Sequence, residues 1–115
     1  LSGELPALRL SVGTPGSYGI LHTSAQMIHH FVDAGMNVQE AIEAPRFRFY
    51  SEGTLLLENR FPEPVLDDLR VRGHEFGLLP SFSAQAGGGH GIQFTGHGTM
   101  LGGADPRRDG VAQGL

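Results

Sequence analysis

Alternation opens the chain. Leu8, Leu10 and Val12 alternate with Arg9 and Ser11, the period-two signature of a strand over Leu5 to Val12. Gly13-Thr14-Pro15-Gly16-Ser17 then breaks the pattern. From Gly19 to Ala34 the period lengthens to that of a helix. Ile20, Met27, Phe31 and Ala34 form one stripe, with Ser24 as its polar member and Ile28 beside it. Gly35 is a natural left-handed stop. Asn37 and Glu40 occupy the N-cap and N3 positions of a capping box, and the short helix they start runs to Ala44. Pro45 ends it, because the residue before proline is pushed out of the helical region.

Beyond Pro45 the segments shorten. Arg46 to Tyr50 reads as extended, and Thr54 to Glu58 as a strand with the run Leu55-Leu56-Leu57. Pro62 and Pro64 mark the first turn of a helix carrying Val65, Leu66, Leu69 and Val71 and ending at Gly73. His74 to Leu79 is a further strand. Gly91 to Thr95 and Thr99 to Ala104 pair as a hairpin across Gly96-His97-Gly98. The order predicts an α/β or α+β domain with a mixed or antiparallel sheet and helices packed on one face. No internal repeat and no long linker interrupts residues 1–115, which are read as a single domain.

Composition removes several classes of chemistry. The 115 residues contain no cysteine, which excludes disulfides and thiolate chemistry. The 8 basic residues are all arginine, so neither a Schiff-base lysine nor a phosphate-loop lysine exists. The net charge of −4 argues against nucleic acid as the main partner. No apolar run reaches bilayer length, and the compartment, cytoplasm or periplasm, stays open. Glycine is the outlier: 18 residues, against an ordinary usage of roughly 7 %.

Candidate chemistry is sparse. Thr14-Pro15-Gly16-Ser17 fits a type II turn with Pro15 at i+1 and Gly16 at i+2. Such a turn before a helix can present amides as an anion nest, or simply join strand to helix. A closed turn would spend the Ser17 N–H on the Thr14 carbonyl. The 6 histidines are read as surface or hydrogen-bonded residues. His29 and His30, for example, point about 100° apart on a helix and do not converge on one ion. Asp105-Pro106-Arg107-Arg108-Asp109 reads as a turn with internal ion pairs. Asp67-Asp68 reads as a solvated face. Gly87-Gly88-Gly89-His90-Gly91 reads as a flexible approach to a strand near a substrate cleft. Ser2 is a remote candidate for a terminal nucleophile.

Three segments in order carry a resemblance. They are Gly13-Thr14-Pro15-Gly16-Ser17, the stretch from Gly35 to Phe47 (Gly-Met-Asn-Val-Gln-Glu-Ala-Ile-Glu-Ala-Pro-Arg-Phe), and Gly102-Gly103-Ala104-Asp105-Pro106-Arg107-Arg108-Asp109-Gly110. Together they resemble the C-terminal part of the small subunit of the γ-glutamyltransferase family. The resemblance implies part of an N-terminal-nucleophile hydrolase αββα sandwich, made from a precursor that cuts itself. It implies cleavage of glutathione-like γ-glutamyl amides by an N-terminal threonine, with the acyl group passed to water or an amine. It places the oxyanion donors on the backbone N–H groups of Gly16 and Ser17. No metal or other cofactor is implied.

The implied partners are the upstream small-subunit segment and the large subunit of the same precursor. Position 1 is Leu rather than Thr, and Ser17 stands where the family has a second glycine. The nucleophile is therefore expected outside this chain, which alone should be inactive. A sandwich cut partway leaves sheet edges and an apolar helix face bare, so association or oligomerisation is expected. The alternatives are a related amide hydrolase of the cephalosporin acylase kind, or a noncatalytic structural or binding domain.

Overall fold

The structure, a computed structural model, describes residues 7–114. Strand β1 (Leu10–Gly13) leads through the Pro-Gly turn into helix α1 (Gly19–Val32), and α2 (Val38–Glu43) follows. Then come β2 (Phe47–Phe49), β3 (Leu55–Glu58), α3 (Glu63–Val71), β4 (Gly77–Leu79), a 3₁₀ turn (Ala84–Ala86), β5 (His90–Phe94) and β6 (Met100–Ala104). The remainder of the strand expected from Leu5 shows no strand geometry at Ala7 to Arg9, and Leu5 and Pro6, like Ser2, lie outside the described residues.

The strands form two three-stranded sheets, ordered β1-β5-β6 and β2-β3-β4. The first is antiparallel throughout, and its β5-β6 pair is the expected hairpin, with Phe94 opposite Met100. The second is mixed: β2 and β3 are antiparallel, while β4 lies parallel to β3 after the crossover through α3. The mixed α/β class agrees with the sequence pattern.

Local chemistry starts the helices as read. Asn37 Oδ1 accepts from the Glu40 N–H at 2.9 Å, and Glu40 returns a bond through Oε1, but to the Asn37 side-chain amide rather than its backbone. Gly35 and Gly73 take φ of +69° and +88° just beyond α1 and α3.

The core is small. Met27, Val38 and Ile42 pack together, with Leu10 and Val12 half-buried against them. Gly91 and Gly103 let α2 sit close on the sheet: a Cβ on Gly91 would stand 2.5 Å from Val38 Cγ2, and one on Gly103 would stand 2.8 Å from Ile42 Cδ1.

The expected apolar stripe of α1 is corrected in part: Met27 is buried and Phe31 half-buried, but Ile20 and Ala34 are exposed. The buried residues are Gly19, Thr23, Gln26 and Met27, while Ile20 is 40 % exposed. Polar tertiary partners override the hydrophobic period. Gly19 lies against the Arg48 guanidinium, and Thr23 Oγ1 donates to the Ala86 carbonyl. Gln26 bonds both the N–H and the C=O of Phe47 at 3.0 Å. Gln39 on α2 does the same for Ala104, at 3.0 and 2.9 Å. Each glutamine thus satisfies backbone groups on an outer strand of a sheet, where unpaired groups would invite another chain. Tyr18, Leu21, Ile28 and Val32 are left on the outer side of α1.

Candidate functional site

The segment between β1 and α1 fits the type II turn read from the sequence only in its open form, with no bond from the Ser17 N–H to the Thr14 carbonyl. Gly16 has φ +132° and Ser17 has φ +55°. The turn hydrogen bonds run from Gly19 N to the Gly16 carbonyl at 2.9 Å and from Ile20 N to the Ser17 carbonyl at 3.1 Å. The bonded turn is therefore two residues further along. Two successive residues with positive φ rotate the peptide planes, and the following helix pulls both carbonyls toward its own first amides.

This has a direct electrostatic consequence. A trans peptide is planar, so its N–H points opposite to its C=O. Locking the Gly16 carbonyl fixes the Ser17 N–H, and locking the Ser17 carbonyl fixes the Tyr18 N–H. Among the described residues, the amides of Gly16, Ser17 and Tyr18 donate to no acceptor. They sit at the N-terminal end of a 14-residue helix whose N-cap, Tyr18, supplies no side-chain bond. Free amides and the helix dipole together favour negative charge here. Ser17 in the left-handed region is strained, since only glycine adopts it without penalty.

The turn leans on the glycine segment 87–89, which is buried rather than a flexible approach. Gly88 N donates to Thr14 Oγ1 at 3.1 Å, Gly89 N donates to Asp105 Oδ2 at 2.7 Å, and the Ala86 carbonyl accepts from Thr23 Oγ1 and from Arg46 Nη1. Gly87 takes φ +96°, and a Cβ on it would stand 2.7 Å from Thr23 Oγ1. A Cβ on Gly88 would stand 2.7 Å from Arg108 Cδ and one on Gly89 2.5 Å from Met27 Sδ, so a side chain on any of the three would force its neighbours to shift.

Behind them lies a buried ion quartet that the sequence reading did not assemble. Arg46 Nη1 pairs with Asp105 Oδ2 at 2.7 Å, and Arg107 Nη1 pairs with Asp105 Oδ1 at 3.0 Å. Arg107 also grips Glu58 with two bonds, Nη2 to Oε1 at 2.6 Å and Nε to Oε2 at 2.9 Å. Backbone amides of Arg46, Ser83, Gly89 and Arg107 complete the carboxylates. The Ile42 and Ala44 carbonyls accept from the guanidiniums. Burial pushes the Glu58 and Asp105 carboxyls up. These hydrogen bonds and the guanidinium charges outweigh it, holding both below the usual carboxylate range. Burial and the charge of Arg107 lower Arg46, whereas Arg107 is raised because Glu58 and Asp105 outweigh its own burial.

The internal ion pair expected within Asp105 to Asp109 is present between Asp105 and Arg107. Its larger partners, Arg46 and Glu58, were legible only as a charge directly after Pro45 and a charge closing an apolar strand. Asp67 and Asp68 are exposed, paired with Arg70 and Arg72. Among the described residues no group of three His, Asp or Glu could hold a metal ion. A cavity of about 960 Å³ lies between the β1-β5-β6 sheet and the segment Val111 to Gly114, and reaches no further toward the turn than Gly13.

The geometry defines the class as a mixed α/β protein with backbone N–H groups left free at the start of a helix. Comparison with known proteins narrows the class. A family model described as gamma-glutamyltranspeptidase matches residues 4–115, and the chain belongs to that family. It is 39 % identical over 105 residues to the acylase ACY 1 proenzyme of Pseudomonas sp. (strain V22), covering 90 % of this chain and 18 % of that protein. It is 34 % identical over 107 residues to the glutathione hydrolase proenzyme of Bacillus subtilis (strain 168), covering 92 % of this chain and 18 % of that protein. The structure superimposes on a mutant gamma-glutamyltranspeptidase of Helicobacter pylori with a TM-score of 0.75 and 32 % identity, covering 87 % of this chain and 54 % of the other. The fold is thus part of an N-terminal-nucleophile hydrolase. The chain spans about a fifth of the length of these curated relatives.

Proposed function

We propose that this chain is the C-terminal part of the small subunit of an enzyme that cleaves γ-glutamyl amides, and that the Gly16 and Ser17 amides are its oxyanion donors. The observation that carries the reading is the pair of free, adjacent N–H groups at the start of α1, in a chain of this family. An N-terminal threonine on an upstream segment of the same precursor attacks the amide carbonyl. The carbonyl oxygen becomes an oxyanion facing the two amides, and the amine leaves with a proton. The acyl-enzyme then passes its acyl group to water or to a second amine. The partners of this chain are the upstream small-subunit segment and the large subunit; proenzyme relatives support that division.

Gly16→Ala in the complete precursor tests the donors. The added Cβ meets no atom within 4 Å, so its effect is conformational: φ +132° strains any L-residue, and the amides turn away. Turnover should fall on the order of 10²-fold, the effect of losing one oxyanion donor. A turnover equal to the parent's, with the protein folded, removes these amides from the mechanism.

A second reading changes the acyl group. The Pseudomonas acylase is more identical to this chain than the Bacillus glutathione hydrolase is, 39 % against 34 %. A panel of γ-glutamyl and glutaryl amides on the complete protein separates the two, and activity on neither would favour a noncatalytic role.

A further inference from the structure

We infer that Thr14 is a positioning residue, whose hydroxyl aims the Gly16 N–H. The inference rests on the reading of Gly16 and Ser17 as oxyanion donors. Of the three consecutive peptide planes in the turn, two have their carbonyls held by backbone amides of α1, as described above. The third, Pro15-Gly16, is held by a side chain: Thr14 Oγ1 donates to the Pro15 carbonyl at 3.0 Å. Because the peptide is planar and trans, that bond sets the Gly16 N–H in the opposite direction. Gly16, with φ +132°, has no Cβ to restrict this plane, and nothing stands within 4 Å of where a Cβ would be. Packing does not fix the plane; the hydroxyl does.

The hydroxyl is itself oriented. A threonine rotor could point its proton in several directions, but Oγ1 accepts from Gly88 N at 3.1 Å. With a lone pair engaged there, the proton is left for the Pro15 carbonyl. Gly88 cannot drift, since the Ala86 carbonyl is held by Thr23 and Arg46 and the Gly89 amide by the carboxylate of Asp105. The direction of the Gly16 amide is thereby referred, through one hydroxyl, to the buried ion quartet. Serine could replace threonine in this role; valine and alanine could not.

The test uses the complete precursor with Thr14→Val, Thr14→Ala and Thr14→Ser, assayed on γ-glutamyl and glutaryl anilides. Turnover is referred to active sites titrated by the acyl-enzyme burst, so that a loss of folded protein does not count as a loss of rate. Valine and alanine should each lower kcat about tenfold with KM within about twofold, because a misaimed donor weakens the transition state and not the ground state. Serine should restore kcat to within about threefold of the parent. If valine prevents folding, alanine against serine decides alone. A parental kcat in the alanine variant, or a serine variant as slow as alanine, overturns the inference. Gly16→Ala assayed beside them separates the two levels: if it too turns over as the parent does, the oxyanion reading fails, and if it alone is slow, only the positioning role fails.

Discussion

Replacing Glu58 by glutamine changes one atom's chemistry and almost no volume, yet it should be among the most damaging substitutions in the chain. Glu58 is fully buried. Oε1 accepts from the Arg46 amide at 2.8 Å and from Arg107 Nη2 at 2.6 Å, and Oε2 accepts from the Ser83 amide at 2.8 Å and from Arg107 Nε at 2.9 Å. Oε1 also accepts from Arg60 Nη2 at 3.2 Å, so whichever oxygen becomes an NH₂ group, it faces at least two donors that lose their acceptor there. Each orphaned buried donor costs about 1–3 kcal/mol. Losing the Glu58 charge also leaves the buried Arg46 and Arg107, and the partly buried Arg60 at 3.2 Å, against the single carboxylate of Asp105. Breaking one side of a buried pair costs about 3–5 kcal/mol, and that range includes the orphaned donors. Against a typical domain stability of about 5–15 kcal/mol, this is about a fifth or more. Equilibrium urea unfolding followed by circular dichroism measures it, with Arg70→Ala as the control. Arg70 makes its ion pairs with Glu63 and Asp67 on the exposed face of α3, where solvent screens them, and its loss should be indistinguishable from the parent. A Glu58→Gln loss below about 1 kcal/mol, the size of a single ordinary hydrogen bond, would refute the account of the quartet.

Two further outcomes are expected. Glu58 and Asp105 have folded-state affinities for protons below their unfolded ones, so their stabilisation is complete above the ordinary carboxylate range of about 4 and is lost as pH falls through and below it; a urea midpoint that stays flat from pH 5 to pH 3 would contradict this. Ser17→Gly relieves the left-handed strain at φ +55° and should raise stability by up to about 1 kcal/mol while leaving turnover unchanged, since the donor is backbone; a lowered melting temperature would show that the serine side chain contributes something the strain argument omits.

Much of the site's frame was legible because it depends on neighbours in sequence. Asn37 and Glu40 start α2 through bonds three residues apart, Gly35 and Gly73 stop helices through their own φ, and Gly96 and Gly98 turn the hairpin. The Pro15-Gly16 turn was placed correctly between strand and helix. Whether it closes on itself was not legible, because the first amides of α1 hold the Gly16 and Ser17 carbonyls, and a four-residue window does not contain them.

What the chain alone determined is this local grammar and its family membership, which rests on residue types at fixed spacing. The tertiary structure decided which polar residues would be buried. Glu58 and Arg107 are 49 residues apart, Gly88 and Thr14 are 74 apart, and Gln39 and Ala104 are 65 apart. In a linear pattern each of these residues looks like surface. Folding brings each to the partner that makes burial affordable, because a charged or amide group leaves water only where its hydrogen bonds are remade. That requirement left Ile20 and Ala34 of the expected α1 stripe exposed, kept Met27 in the core, and set the polar residues Thr23 and Gln26 beside it against the interior.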